Sequence, residues 1–500
     1  MKALSNGLAK LSVVGMLWTG VSMGALALAE IVALLVLARL LSAQDFGLYA
    51  AALVVIKFSV IVESLGVAPA IVQRPVLEDR HLRVGFTLSV LFSVSIASLV
   101  WALAPAIGAA MQLPGLAPVV RAGCAVFLFQ GFSTVALASA QRQLRFRWLA
   151  MVDAASFAFG FLVVGLVLGW FGFGVWALIG AFMTQHCLRM IALVAGQPHP
   201  KRFMLERRAI GELLYFGGGF TIARILGYLA SQADKLVVGR ALGAAPLGLY
   251  SIASQIMTAP AVLFGQILDR VLFPTMAMVQ HEPARLARAY RTGVAACALF
   301  ALPASVIIAI VAPEFVRALL GQSWEGAVAP LQILALGMLF RTSYKLSDSS
   351  VRATGAVYAR AWRQGVFAAA VLGGSLIGQR WGLSGVSLGV VAALMLNFLL
   401  MAQLSLHLTG LRWSEFALAH LPGLVLAVVT GGAAWALAEQ LRDMGVAPSV
   451  LLVEVILAAG AEAILLCWLL PSLFLGKDGQ SVLRIIGMLM PVRLKRRGPG

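Results

Sequence analysis

Fourteen apolar stretches follow one another almost without a break, most of them longer than the ~20 residues a helix needs to cross a bilayer's hydrocarbon core. They run over 11–38, 46–72, 84–111, 116–139, 148–170, 173–196, 211–239, 246–273, 287–312, 327–351, 362–379, 383–407, 415–438 and 447–475. That succession predicts an all-α integral membrane protein with about 14 spans. It uses up nearly all 500 residues and leaves no room for a separate soluble domain. Composition agrees: 61% of residues are hydrophobic and 12% charged, where soluble chains carry about 25% charged residues. The first run is preceded by Lys2 and Lys10 and contains Ala27-Leu28-Ala29, which imitates a signal-peptidase site. It continues through Glu30 to Leu41, longer than the ~7–15 residues of a signal h-region, and reads as the first membrane helix.

The formal charge is +18, from 38 Lys+Arg and 20 Asp+Glu. In a membrane chain this excess reflects the loading of cytoplasmic loops with cations, not a nucleic-acid partner. With the N-terminus inside, alternate connections and the two termini hold 27 cations, Arg189, Arg352 and Arg360 among them. The opposite connections hold five: Arg39, Arg240, Arg317, Arg380 and Arg442. This places both termini in the cytoplasm. The four cysteines, Cys124, Cys187, Cys297 and Cys467, lie inside apolar runs without metal-binding spacing. No metal, cofactor or catalytic residue is expected.

The two halves repeat. Arg39-Leu-Leu-Ser-Ala-Gln-Asp-Phe-Gly-Leu-Tyr49 aligns with Arg240-Ala-Leu-Gly-Ala-Ala-Pro-Leu-Gly-Leu-Tyr250 at six of eleven positions, offset by 201. Trp170…Gly174-Val175 recurs as Trp381…Gly385-Val386, offset by 211. Each unit holds six runs, so the copies share one topology and are related by an axis along the membrane normal. The expected layout is an N-lobe at 1–200, a C-lobe at 201–410, two further helices at 411–476 and a basic cytoplasmic tail at 477–500. Two such lobes meeting at a pseudo-two-fold axis make a transporter architecture, with substrate between them.

Charge inside a bilayer is costly and marks cavities or ion pairs. The in-span cations are Lys57, Arg121, Arg224, Lys235, Arg341 and Lys345; the acids of the two lobes are Glu30, Glu63, Asp153, Asp234 and Asp348. At helical spacing, Arg224, Tyr228, Ser231 and Lys235 share one stripe, and so do Arg341, Lys345, Asp348 and Arg352. The matching positions of the fourth run are Gln130, Thr134, Leu137 and Gln141. We read Arg224, Lys235, Arg341, Lys345 and Lys57 as the cationic lining of a central cavity suited to phosphate, which Arg binds with a planar fork. Glu30, Glu63, Asp234 and Asp348 are assigned either to ion coupling or to pairing with these cations. Arg121 lies near a helix end and can instead snorkel.

Arg39–Ala50 resembles the first signature of the polysaccharide transporter family, the Wzx-type flippases of the MOP superfamily, whose fold is MATE-like. Ala233-Asp234-Lys235…Gly239-Arg240-Ala-Leu242-Gly243…Leu247-Gly-Leu-Tyr250 resembles the second, and Gln141-Arg-Gln-Leu-Arg-Phe-Arg147 is similar to the family's basic loop after the fourth span. The resemblance covers roughly residues 1–440. It implies translocation of an undecaprenyl-diphosphate-linked oligosaccharide across the bacterial inner membrane, for exopolysaccharide, capsule or O-antigen synthesis. The implied partners are that lipid-linked sugar, the bilayer, a polysaccharide polymerase and a chain-length regulator. A small-molecule exporter of the same superfamily would often carry cations, which this cavity would repel. A membrane-embedded polymerase or ligase usually needs a sizeable outer loop carrying Arg or His, and the outer connections here are short and contain no His. No GxxxxGK[ST] motif is present to bind ATP.

Overall fold

The computed structural model describes residues 29–480 apart from 65, 75, 281, 355 and 477, and at 63, 64, 214–224, 226, 230, 262–275, 277, 353 and 357 it gives the backbone course alone. Every regular element among the described residues is a helix. Asp79–Met111, Phe146–Trp170, Val175–Gly196, Pro283–Phe315, Trp413–Asp443 and Pro448–Leu469 coincide with runs expected from hydropathy. The chain is an all-helical, multi-pass membrane protein. Nine stretches among the described residues are long and apolar enough to cross a bilayer, or ten if Gln322–Leu336 and Met338–Arg352, bent by 42° at their junction, form one span. One of the nine, Tyr358–Thr409, holds two helices that fold back on each other. A Cβ added at Gly374 would lie 2.8 Å from the carbonyl oxygen of Gly389, so only glycines allow the two backbones this close. Helices Arg207–Leu242 and Ala244–Met278 cover the seventh and eighth expected runs. The second run is shorter than expected: its helix ends at Ser64, and a separate short helix, Val67–Gln73, starts after Gly66, whose φ is 69°.

The helices gather into two compact units. Among the described residues, one comprises those up to Ile252 with Leu320–Gly326 and Ser375–Val386; the other comprises Ala253–Leu319, Ala327–Gly374 and those from Ser387 on.

Within the first unit, the two copies of the repeated signature meet. A Cβ on Gly47 would lie 1.7 Å from the carbonyl oxygen of Ala244, and a Cβ on Gly248 would lie 1.8 Å from that of Ala43. The two contacts are reciprocal, as expected of equivalent segments around a pseudo-two-fold axis. Each glycine lets the first turn of its own helix rest directly on the backbone of the other. Trp324, fully buried, closes one flank: its indole N–H donates to Ala38 O at 2.7 Å, and its ring stands edge-on to Phe46 at 5.3 Å. On the other flank Arg240 donates to Ala110 O, and the Met111 and Leu113 side chains pack near Gly239.

The second unit is built on Pro283–Phe315. Trp413–Asp443 lies along it, and a Cβ on Gly423 would lie 2.6 Å from the Ala298 carbonyl carbon. Arg442 locks that pair with hydrogen bonds of 2.8 and 2.9 Å to the buried Glu314. The buried carboxylate of Glu314 needs this partner, because a buried charge left unpaired is strongly destabilising.

Candidate functional site

In the second unit, Met338–Ala353 carries a row of charge, and its sequence explains how. Thr342, Ser343, Ser347 and Ser350 are buried on one face. Ser347 shares a 2.8 Å hydrogen bond with Tyr290, and Ser350 one of 2.9 Å with Ser405. Small hydroxyl residues both permit close packing in a membrane and bond across it. Arg341 and Lys345 lie on the flank that stays partly open. The guanidinium of Arg341 donates to Thr258 Oγ1 at 2.5 Å, which orients it while leaving further N–H donors. Asp348 is buried and takes two guanidinium partners: Arg352 one turn on, at 3.1 Å, and Arg360 from the next helix. The acid of the row is thus engaged with cations that the sequence had put in a connection, while Arg341 and Lys345 stand a turn or more away.

In the first unit, Glu30, Lys57 and Lys235 lie within electrostatic reach of one another. Lys57 is solvent-accessible although protein surrounds most of it, and Lys235 is half-buried. Asp234, buried beside Lys235, faces elsewhere: it accepts a 2.7 Å hydrogen bond from the fully buried Tyr250 of the second signature. Arg224 lies on helix Arg207–Leu242 and Glu63 on helix Ala43–Ser64, but both side chains lie outside the described residues. Arg121 turns to Trp101, donating to its carbonyl at 3.3 Å with the guanidinium 4.6 Å from the ring centroid.

One charged pair escaped the sequence reading. Arg189, assigned there to a connection, lies inside helix Val175–Gly196 and donates to Asp153 of the preceding helix at 2.6 Å. His186 sits one turn away, its Nδ1 2.9 Å from Phe182 O. The signal was present in the spacing. Asp153 follows Phe146 by as many residues as Arg189 precedes Gly196, so an antiparallel pair of helices puts them at one depth.

These groups can hold an anion electrostatically and by hydrogen bonds. Among the described residues, no group of three or more His, Cys, Asp or Glu is placed to hold a metal.

A family model described as polysaccharide biosynthesis protein matches residues 36–329, a stretch that includes both signatures and their reciprocal contact. The chain belongs to the polysaccharide biosynthesis protein family. Relatives within reach of sequence comparison include the teichuronic acid biosynthesis protein TuaB of Bacillus subtilis, 26% identical over 73% of this chain and 78% of that protein. The lipopolysaccharide biosynthesis protein WzxC of Escherichia coli is 24% identical over 62% of this chain and 64% of its own length. The succinoglycan biosynthesis transport protein ExoT of Rhizobium meliloti is 27% identical over 60% and 61%. The chain thus spans less than two thirds of the last two. Among solved structures, the fold of this polysaccharide biosynthesis protein is similar to the lipid II flippase MurJ, with a TM-score of 0.73 at 14% identity, covering 90% of this chain and 99% of that one. It is also similar to an inward-facing multidrug resistance MATE family transporter of the MOP superfamily, with a TM-score of 0.61 at 15% identity, covering 77% and 96%. At such identities the likeness is one of fold.

Proposed function

We propose that the protein is a flippase that carries an undecaprenyl-diphosphate-linked oligosaccharide across the bacterial inner membrane for exopolysaccharide, capsule or O-antigen synthesis. In this reading the chain makes fourteen spans, as an N-lobe at 1–200, a C-lobe at 201–410, a helix pair at 411–476 and a basic tail at 477–500, with both termini cytoplasmic. The lobes rock to expose a central cavity to each side in turn. Lys57, Arg224, Lys235, Arg341 and Lys345 hold the diphosphate. Glu30, Glu63, Asp234 and Asp348 balance these cations or carry a coupling ion. A periplasmic polymerase and a chain-length regulator take the product onward.

The observation that carries this reading is the cationic row of Met338–Ala353, backed by a hydroxyl network, in a member of a polysaccharide biosynthesis family. A diphosphate headgroup is the part of a lipid-linked sugar that most resists entering a membrane. Paired cations lower that cost, and an inside-negative potential favours outward movement of each negative charge by about 2.3 kcal/mol per 100 mV.

The test uses a strain lacking the protein with its glycosyltransferases intact. Membrane polyprenyl-diphosphate oligosaccharide is quantified, and its sidedness is read with an impermeant glycan-cleaving enzyme on spheroplasts. Accumulation of protected, inward-facing intermediate with loss of surface polymer is expected. An intermediate open to the enzyme but unpolymerised would sink the flippase reading in favour of an assembly role, and an unchanged pool would point to a small-molecule exporter.

A further inference from the structure

Away from the cationic row, in the first unit, a groove of about 480 Å³ opens between three helices. Phe86 from Asp79–Met111, Phe132 from Ala125–Arg142, and Ile191, Val194 and Ala195 from Val175–Gly196 line it, with Lys201 at the end where Val175–Gly196 gives way to the next segment. Among the residues lining it, Lys201 is the sole charged one. The volume falls within the ~300–1,000 Å³ usual for small-molecule sites.

The segment that carries Lys201 is tied down on both sides. Arg145 donates to Gly196 O at 2.8 Å and to Gln197 Oε1 at 2.7 Å. Beyond the lysine, the Met204 N–H donates to Thr87 Oγ1 at 2.9 Å, and Arg80 pairs with Glu206 at 3.0 Å. The ring of His199 packs 5.7 Å from Phe86, and its Nε2 is buried without a hydrogen-bond partner among the described residues. Burial holds the His199 imidazole below its usual pKa, so it stays neutral and adds no charge of its own. Phe203 and Leu205 are each 67% exposed and follow directly on the exposed cations Lys201 and Arg202. Apolar and basic residues mixed in this way suit the layer where lipid headgroups meet acyl chains.

An apolar trough with a cation at one end is complementary to a molecule with a hydrocarbon chain and an anionic head. We propose that this groove holds one chain of an anionic glycerophospholipid whose phosphate pairs with Lys201. The lipid is a resident, not cargo: none of the groove's lining residues belongs to the cationic row. The assignment goes beyond the flippase reading and does not depend on it. One cation beside an anionic headgroup is worth about 1 kcal/mol, or about fivefold in affinity.

The full-length protein, purified in mild detergent, would be exchanged against equal amounts of phosphatidylglycerol and phosphatidylcholine, stripped stepwise and weighed intact by mass spectrometry. We expect one tightly retained phosphatidylglycerol, with little phosphatidylcholine. Lys201→Gln should weaken retention about fivefold, Lys201→Arg should preserve it, and Ala195→Trp, which places an indole in the groove from an exposed position, should abolish it. Thermal melting of each variant checks that the fold is intact. Equal retention of the two lipids, or unchanged retention in Lys201→Gln or in Ala195→Trp, would overturn the proposal. So would displacement of phosphatidylglycerol by polyprenyl phosphate, which would make the groove a carrier site; the other outcomes leave the flippase reading untouched.

Discussion

The two copies of the repeat share a backbone contact and differ in charge. Gly47 rests on Ala244 as Gly248 rests on Ala43, yet the helices that meet there begin by different means. In the first copy, Ser42 Oγ and N–H both bond to Asp45, at 2.5 and 3.0 Å, as a side-chain cap. In the second, the turn is made by Gly243 at φ 96° and ψ −175°, a region almost reserved to glycine, where a residue with a Cβ is strained by about 1–3 kcal/mol. The rows diverge further. Gln130, Thr134, Leu137 and Gln141 occupy the positions of Arg341, Lys345, Asp348 and Arg352. The first unit finds its charge on other helices, at Lys57 and in the Asp153–Arg189 pair. The two copies thus share the requirement for glycine at the backbone junction and differ in their polar surfaces.

The sharpest way to break this comparison is to fill the shared contact. Gly47→Ala and Gly248→Ala each force a methyl group onto a carbonyl oxygen, and overpacking of this kind costs about 1–3 kcal/mol. We expect surface polymer to fall by about tenfold or more in both, to the same degree. Gly432→Ala, where a Cβ meets nothing within 4 Å, should be silent. If either signature variant exports normally, the contact is not a working part.

Next comes the difference in charge. Arg341→Ala should slow flipping of a polyprenyl-diphosphate glycan in proteoliposomes by about tenfold to a hundredfold, since a charged hydrogen bond is worth ~1.5–3 kcal/mol. Its counterpart, Gln130→Ala, should change the rate by less than about twofold. Equal effects would mean that the charged row has no special part in binding.

A smaller asymmetry concerns the signature tyrosines. Tyr250 donates to the buried Asp234, whereas Tyr49 packs against Phe182, ring centroids 6.3 Å apart. Tyr250→Phe should lower stability by about 1–3 kcal/mol by leaving that carboxylate short of a donor, and Tyr49→Phe should cost less. Thermal melting in detergent reads both. The smallest effect is expected at the first copy's helix start, where Ser42→Ala should cost about 1 kcal/mol.

The apolar runs and the duplicated signature made the helix order and the repeat legible in the sequence, because twenty apolar residues admit few other structures. The bend at the tenth run and the break at Gly66 were not legible, since hydropathy is blind to a change of direction within an apolar stretch. The candidate site was partly legible. Spacing alone put Arg341 and Lys345 on one flank, but their serine-rich backing depends on which face meets Tyr290 and Ser405. Arg189 was missed because a cation near a helix end reads as a loop residue until the depth of its partner is compared.

The reciprocal glycines also bear on how the gene can vary. Every missense change at codon 47 or codon 248 adds at least a Cβ, and each would be driven into a carbonyl oxygen less than 2 Å away. In a saturation screen scored on surface polymer, these two codons should therefore behave almost like stop codons, as a matched pair 201 residues apart. Charged positions nearby would still show graded, substitution-dependent scores.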